Sequence, residues 1–439
     1  MDKFFKKWQY VVLLGILLLG FLLRSNNLYE WPRLGATFDE YAWAWQGVSL
    51  IQHHVPTSWS PHPQYTHAKD ITYQHTHFRL VTPYLEHPPL FGLVVGGYAI
   101  LSGVKDMFHV DLVHIRGLSL LLGVLSIGIL FLFVKDMYGE RTALLSSFLY
   151  AIIPSVVVGS RLVENENFFI PFFLFTLFLV AKYIKNKNVW FRNWAAILCG
   201  LLLLAKVPWG AATLAIVLLF LFFRKYRDIW VFLAIVLTIF SIFFMYGIYF
   251  DKELFFNLWK LQLNRYDISF NSMFALFTYP VLTDRLFTDG WIYFGWISFF
   301  IVAVKDFRKH IFVLFPLLAY FAIFVYAIPN EPGHGWYRYP FYPFLVVSLA
   351  LFIKEYFNKN YLLTFFFLLF TGLSMLNTSW AQVLGFSFFV FRFFLVLSGI
   401  TLFPLFFSKT QKLAFVFSYI NFGWILLLTL WSTLLYNEQ

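Results

Sequence analysis

The chain has 439 residues, 60% of them hydrophobic and only 13% charged, a balance that excludes a soluble globular protein and fits a polytopic membrane protein. The net charge of +11 does not mark a nucleic-acid-binding face, because Lys and Arg recur as short clusters between apolar runs, the pattern of cytoplasmic loops. The single cysteine, Cys199, excludes an intrachain disulfide and any zinc-ribbon spacing.

A run of about 20 apolar residues crosses a bilayer as a helix. In chain order the sequence predicts such spans near 8–23, 116–134, 142–159, 168–183, 194–206, 208–223, 229–249, 291–304, 311–328, 340–353, 361–376, 388–406 and 413–434. The first lacks a small-residue cleavage site and reads as an uncleaved anchor. The fifth and sixth are separated only by Lys206, Val207 and Pro208, a tight turn between antiparallel helices.

One further apolar run, 89–104, carries four glycines. The excess of basic residues in cytoplasmic loops decides its placement. With Lys3, Lys6 and Lys7 in the cytoplasm and this run not spanning, the clusters Lys135/Arg141, Lys182/Lys185/Lys187/Arg192, Arg224/Lys225/Arg227, Lys305/Arg308/Lys309, Lys354/Lys359 and Lys409/Lys412 all fall inside. If it spanned, every later cluster would lie outside. The run is therefore expected to lie along the outer surface or to dip in partway.

The result is an all-α membrane protein of about 13 transmembrane helices with juxtamembrane helices in its first outer loop. Residues 1–250 are expected to form a transmembrane core, the candidate catalytic part, that includes the first outer loop, 24–115. Residues 251–439 form C-terminal helices with outer loops at 251–290 and 329–339, and no soluble domain is expected. An outer connection as long as 24–115 is normally functional.

Four groups of residues in these outer segments could carry chemistry. Asp39 and Glu40 are adjacent carboxylates among Tyr41, Trp43 and Trp45. A carboxylate there can act as general base on a hydroxyl, and mutual repulsion raises the pKa of one of an adjacent pair. The aromatic neighbours could stack on sugar rings or form an interfacial belt. Glu86 and His87 precede the 89–104 run, at the end of a stretch, 53–87, that holds seven of the eleven histidines. They could bind a divalent cation, or simply be solvated. Arg161, Glu164, Asn165, Glu166 and Asn167 crowd a short outer turn. Arg161 and Glu164 could pair with each other, or the turn could wall a cavity opposite Asp39. Finally, Lys206, Arg338 and Arg392 are cations at or near the outer side, where a membrane-edge cation faces a polar cavity and an anionic partner. A lipid-linked phosphate is such a partner.

In this order the motifs resemble the GT-C superfamily of polyprenyl-phosphate-dependent glycosyltransferases, in particular the protein O-mannosyltransferase and lipid A aminoarabinose transferase group. They are Phe38-Asp39-Glu40, Glu86-His87-Pro88-Pro89, Asp136 through Arg141, Ser160 through Glu164, Gly200 through Lys206, and Arg338-Tyr339-Pro340. The resemblance implies an inverting enzyme of the bacterial plasma membrane, its active site on the outer face. It implies that Asp39 binds or deprotonates the acceptor hydroxyl with Glu40 in support, and that Glu164 or Glu166 fills the second acidic position. Lys206 and Arg338 would hold the donor phosphate, with Arg161, Tyr339 and Arg392 as further candidates. Glu86 falls where some relatives bind a divalent metal. The implied partners are a polyprenyl-phosphate sugar donor, a lipid, glycan or protein acceptor, and membrane lipids. A flippase for a lipid-linked sugar and a ligase of preassembled glycans are the competing readings; the first is expected to show internal repeats and helices broken at the midplane.

Overall fold

The computed structural model describes residues 2–264, 270–279, 281–283, 285–327, 334–379, 385 and 387–436. Parts of the expected outer segments at 251–290 and 329–339 lie outside them. Each of the thirteen apolar runs falls on a helix. The chain begins with α1 (Asp2–Ser25), and after the first outer loop come α4 (Leu112–Tyr138), α5 (Glu140–Ile152), α6 (Pro154–Gly159), α7 (Asn165–Asn186), α8 (Val189–Leu203) and α9 (Gly210–Phe222). Then follow α10 (Tyr226–Asn264), α11 (Phe270–Thr278), α12 (Gly290–Lys305), α13 (Ile311–Ala327), α14 (Tyr342–Tyr356), α15 (Tyr361–Ser379), α16 (Phe388–Gly399) and α17 (Gln411–Leu435). Seven helices among the described residues are long and apolar enough to cross a membrane.

The helices do not follow the runs throughout. Pro154 lacks an N–H and forces Ile153 out of the helical region (ψ 125°), so the 142–159 run splits into α5 and α6. In α10 the helix continues past 249 through a kink at Asp251 (φ −162°, ψ 102°), whose carboxylate accepts the Leu254 N–H. The stretch expected to be loop from 251 is thus helical to Asn264. The 388–406 run ends as α-helix at Gly399 and finishes in 3-10 turns.

Among the long helices α7 is the most enclosed: 72% of its apolar window is buried, against 33% for α1 and 17% around α16. It therefore stands as an inner post, and Glu164 immediately precedes its first turn. The outer loop is more ordered than the sequence suggests. It holds α2 (Asp39–His53), α3 (Leu90–Leu101) and three strands, β1 (Ser58–Trp59), β2 (Ala68–Tyr73) and β3 (Thr76–Val81), paired antiparallel in the order β1–β3–β2. Gln74 and His75 both take positive φ (44° and 63°) and make the two-residue turn that matches strand twist. Phe78 of β3 meets Trp45 at 5.0 Å and Phe38 at 5.3 Å. Trp43 and Trp45 are 3% and 0% exposed. They are core residues of the loop, neither sugar platforms nor a belt, and burying each stabilises by roughly 1.5–3 kcal/mol.

Two of the four glycines of the 89–104 run, Gly92 and Gly96, are explained by helix contact. A Cβ on Gly47 of α2 would stand 1.8 Å from the Gly92 carbonyl oxygen, and one on Gly96 2.3 Å from the Gly47 carbonyl carbon. Gly92 and Gly96, four apart, form a small-residue stripe on which α2 lies. Helix α3 has 12 residues, about 18 Å long at 1.5 Å per residue, well short of the roughly 30 Å hydrocarbon core. Gly47→Ala should force the helices apart and lower stability by about 1–3 kcal/mol. Gly97→Ala, whose Cβ would make only ordinary contact with Ile51 at 3.9 Å, should be tolerated. Apparent melting temperatures of the two variants in detergent check this, and equal values would contradict it.

Candidate active site

Glu164 and Glu166 are placed by Asn165 between them. Its side-chain amide donates to the Ala205 carbonyl (2.9 Å), and its oxygen accepts from the Trp209 indole N–H (2.6 Å). Trp209 stacks on Phe169 of α7 with ring centroids 4.2 Å apart. These contacts fasten the turn between α8 and α9 to the start of α7 and bring Lys206 to Glu166, Nζ to Oε1 2.8 Å. The ammonium also lies over the rings of Tyr337 (5.1 Å) and Trp209 (5.6 Å). Burial alone would favour a neutral amine, but Glu166, Tyr337 and Glu164 hold the Lys206 pKa above its ordinary value.

Thr37 joins the first outer loop to this cluster. Its hydroxyl donates to Glu164 Oε1 (2.8 Å) and accepts the Asp39 backbone N–H (3.2 Å). Asp39 is half-buried at the start of α2. The Glu164 pKa lies well above the usual carboxylate range because of burial first, then the charges of Asp39 and Glu166; Lys206 and the Thr37 hydrogen bond oppose the shift. Asp39, Glu164 and Glu166 therefore form one acidic cluster with Lys206 at its edge. The second oxygens of Glu164 and Glu166 are buried with no hydrogen-bond partner. Lys206 in turn lines a cavity of about 250 Å³ with Glu86, His87, Phe255, Trp259, Leu263, Ile323, Tyr326 and Tyr337. The cavity wall is mostly apolar.

Other candidates stand elsewhere. Glu40 is 1% exposed and in bidentate contact with Arg116 of α4, Oε1 to Nε 3.0 Å and Oε2 to Nη2 2.8 Å; Glu40 Oε1 also accepts the Val163 N–H at 3.0 Å. Its carboxylate is committed to the fold, because helical neighbours point about 100° apart. Arg161 donates to the carbonyls of Leu23 (2.9 Å) and Trp31 (3.2 Å), and burial with the nearby Arg24 and Arg116 charges pulls its pKa down to about 9. Arg338 donates to the carbonyls of Val281 and Ala275 and lines a separate small crevice with Asp289 and Tyr342. The Tyr339 hydroxyl donates to the Leu282 carbonyl (2.6 Å), and Arg392 is exposed on α16. None of these five lines the Lys206 cavity; Tyr337, one residue before Arg338, does.

Glu86 accepts a hydrogen bond from Ser60 and lies 3.5 Å from His62 Nε2, while the His87 ring packs against Trp43 at 5.2 Å. Glu86 and His62 supply two potential ligands, one fewer than catalytic zinc sites use. Among the described residues no group of three His, Cys, Asp or Glu could hold a metal ion. Thr37, Arg116 and Tyr337 went unrecognised in the sequence. Thr37, two residues before an acidic helix start, carries a local signal for side-chain-to-backbone bonding; Arg116 and Tyr337 act through partners distant in the chain and carry none.

A family model described as dolichyl-phosphate-mannose-protein mannosyltransferase matches residues 86–249. Among solved structures the chain is similar to ArnT from Cupriavidus metallidurans bound to undecaprenyl phosphate, with a TM-score of 0.58 and 14% identity over 98% of this chain and 78% of that one. It is also similar to the oligosaccharyltransferase AglB from Archaeoglobus fulgidus in complex with an inhibitory peptide and a dolichol-phosphate (TM-score 0.51, 15% identity, 94% of this chain, 56% of that one). A third is the arabinosyltransferase EmbB from Mycobacterium smegmatis (TM-score 0.56, 10% identity, 97% and 40%). No curated protein matches the sequence. The chain thus has the GT-C fold and is an integral membrane protein that resembles the mannosyltransferase and ArnT group.

Because the fold raises the Glu164 pKa above the roughly 4.3 of a free glutamate, this group's contribution to stability is full in acid and is lost as pH rises through the folded value. Glu164→Gln, permanently neutral, should gain in melting temperature relative to the parent as pH rises above the roughly 4.3 of a free glutamate. A gap independent of pH would contradict the shift.

Proposed function

We propose that this protein is an inverting glycosyltransferase that moves a sugar from a polyprenyl-phosphate donor to an acceptor hydroxyl at the outer face of a bacterial plasma membrane. The observation that carries the reading is Lys206, placed where a largely apolar cavity meets a cluster of three carboxylates, two of them buried. Such a junction suits a lipid whose chain is apolar and whose reacting end is a phosphate.

In this reading the prenyl chain lies along Phe255, Trp259, Leu263, Ile323 and Tyr326, and the phosphate meets the Lys206 ammonium. The glycosidic C–O bond breaks with its electron pair passing to the phosphate oxygen. Lys206 stabilises that growing charge in a site that excludes water. Burial raises the Glu164 pKa, so of the two acids joined through Thr37 the half-buried Asp39 is the one assigned the base, as when neighbouring acids divide their roles. Asp39 accepts the proton of the acceptor hydroxyl as its oxygen bonds to the anomeric carbon from the opposite face, and the configuration inverts. No step is assigned to a metal. Two of the similar structures support the donor class, since ArnT is bound to undecaprenyl phosphate and AglB is in complex with a dolichol-phosphate. The basic clusters of the loops support an N-terminus in the cytoplasm and Asp39 outside.

The test is transfer of radiolabel by the purified protein to cell-envelope fractions, from polyprenyl-phosphate sugars and from nucleotide sugars in parallel. Label should move from the lipid donor only, and Lys206→Met should lower kcat/KM by about 100-fold or more, the loss typical of removing one such charge-stabilising donor. Transfer from nucleotide sugars, or passage of the intact lipid-linked sugar across a vesicle without transfer, would overturn the reading.

A further inference from the structure

The mechanism leaves Glu166 without a task, yet its carboxylate is the one in contact with Lys206. It is fully buried in the first turn of α7, whereas the Lys206 side chain is 10% exposed and forms part of the cavity wall. Two features distinguish the pair from an ordinary structural ion pair. Its cation faces a cavity able to admit a second anion. Its anion has a second oxygen, Oε2, buried with no hydrogen-bond partner, so Glu166 has no alternative cation or donor there to take up its charge. Baring a buried charge is costly, and the enclosed helix α7 gives Glu166 no route to water.

We propose that Glu166 is a positioning residue that holds Lys206 between turnovers and competes with the lipid phosphate for it, so that the pair opens for the donor and, on re-forming, helps expel the spent lipid phosphate. This rests on Lys206 being the donor-phosphate ligand. The chemistry makes such competition useful. The donor is a phosphodiester with one negative charge. The product is a phosphomonoester, which near neutrality carries roughly 1.5 to 2. An unopposed Lys206 would hold the product more tightly than the donor and would stall the enzyme. A fixed carboxylate at 2.8 Å opposes the more highly charged ligand most. The Tyr337 and Trp209 rings keep the ammonium at the wall while it changes partner.

The experiment measures binding of undecaprenyl phosphate to the purified full chain in detergent, and its inhibition of steady-state transfer, for four proteins: the parent, Glu166→Gln, Glu166→Asp and Lys206→Met. The Gln side chain keeps the shape and the hydrogen-bond acceptor but not the charge; Glu166→Ala removes the same charge should the Gln variant not fold. The neutral variant should bind undecaprenyl phosphate about tenfold tighter or more, a change of about 1.4 kcal/mol or more, and product inhibition should strengthen by a similar factor. Its KM and kcat should fall together, because release has slowed. Glu166→Asp, which keeps the charge, should restore binding to near the parent value. A merely structural Glu166 predicts the reverse: unchanged or weaker binding and a raised KM in the neutral variant. If that is found while Lys206→Met binds more weakly than the parent, the inference is overturned and the reading of Lys206 stands. If Lys206→Met binds as the parent does, both fall.

Discussion

The site depends on one buried ion pair, Glu40 with Arg116. Arg116 lies near the start of α4, Glu40 opens α2, and the same carboxylate accepts the N–H of Val163 in the connection to α7. Arg116 also donates to the carbonyls of Leu28 and Pro32. Three separate stretches of chain are thereby fixed around one charge pair, and Asp39 and Glu164 are the immediate neighbours of two of the fixed residues. Burying such a pair adds little net stability, but removing one partner costs about 3–5 kcal/mol because the other charge is then stranded. Its worth is in geometry. Arg24 and Arg161 do related work, holding backbone carbonyls of Tyr150, Ala151, Leu23 and Trp31.

This arrangement explains why an exposed-looking outer loop can carry a defined site. The β hairpin buries Phe78 on α2, α3 lies on α2 through glycines, and the N–H of Leu90 donates to the Leu204 carbonyl beside Lys206 (3.0 Å). The loop is thus tied at one end to the acidic cluster and at the other to the cation. Between them lies the junction of cavity and carboxylates, which the extension of α10 beyond its kink helps to wall with Phe255, Trp259 and Leu263.

The helical architecture was legible because apolar runs and charge clusters are local signals. Each run landed on a helix, and the breaks came where a local rule competes, as at Pro154. The strands were less legible, although Ile71 and Tyr73, then Phe78 and Leu80, alternate with polar residues on either side of a two-residue turn. In the site, Asp39, Glu164 and Glu166 were legible as acids crowded into outer connections, and Lys206 as a cation at the membrane edge. What could not be read was how these charges divide. Glu40 looks as available as Asp39 in sequence, and only Arg116, 76 positions away, commits it to the fold. Arg338 looks like a phosphate ligand, but its partners are carbonyls around residues 275 and 281. Such pairings are set by tertiary structure, with no local pattern to announce them.

The central claim is that Asp39 acts on the acceptor within a site whose donor end is held independently by Lys206. The most direct measurement is a single-turnover comparison of Asp39→Asn with the parent, each saturated with a polyprenyl-phosphate sugar, with donor binding measured on the same samples. The account predicts parental donor affinity and a transfer rate lower by about 100-fold or more, the range of a lost general base. An undiminished rate at full donor occupancy would contradict it.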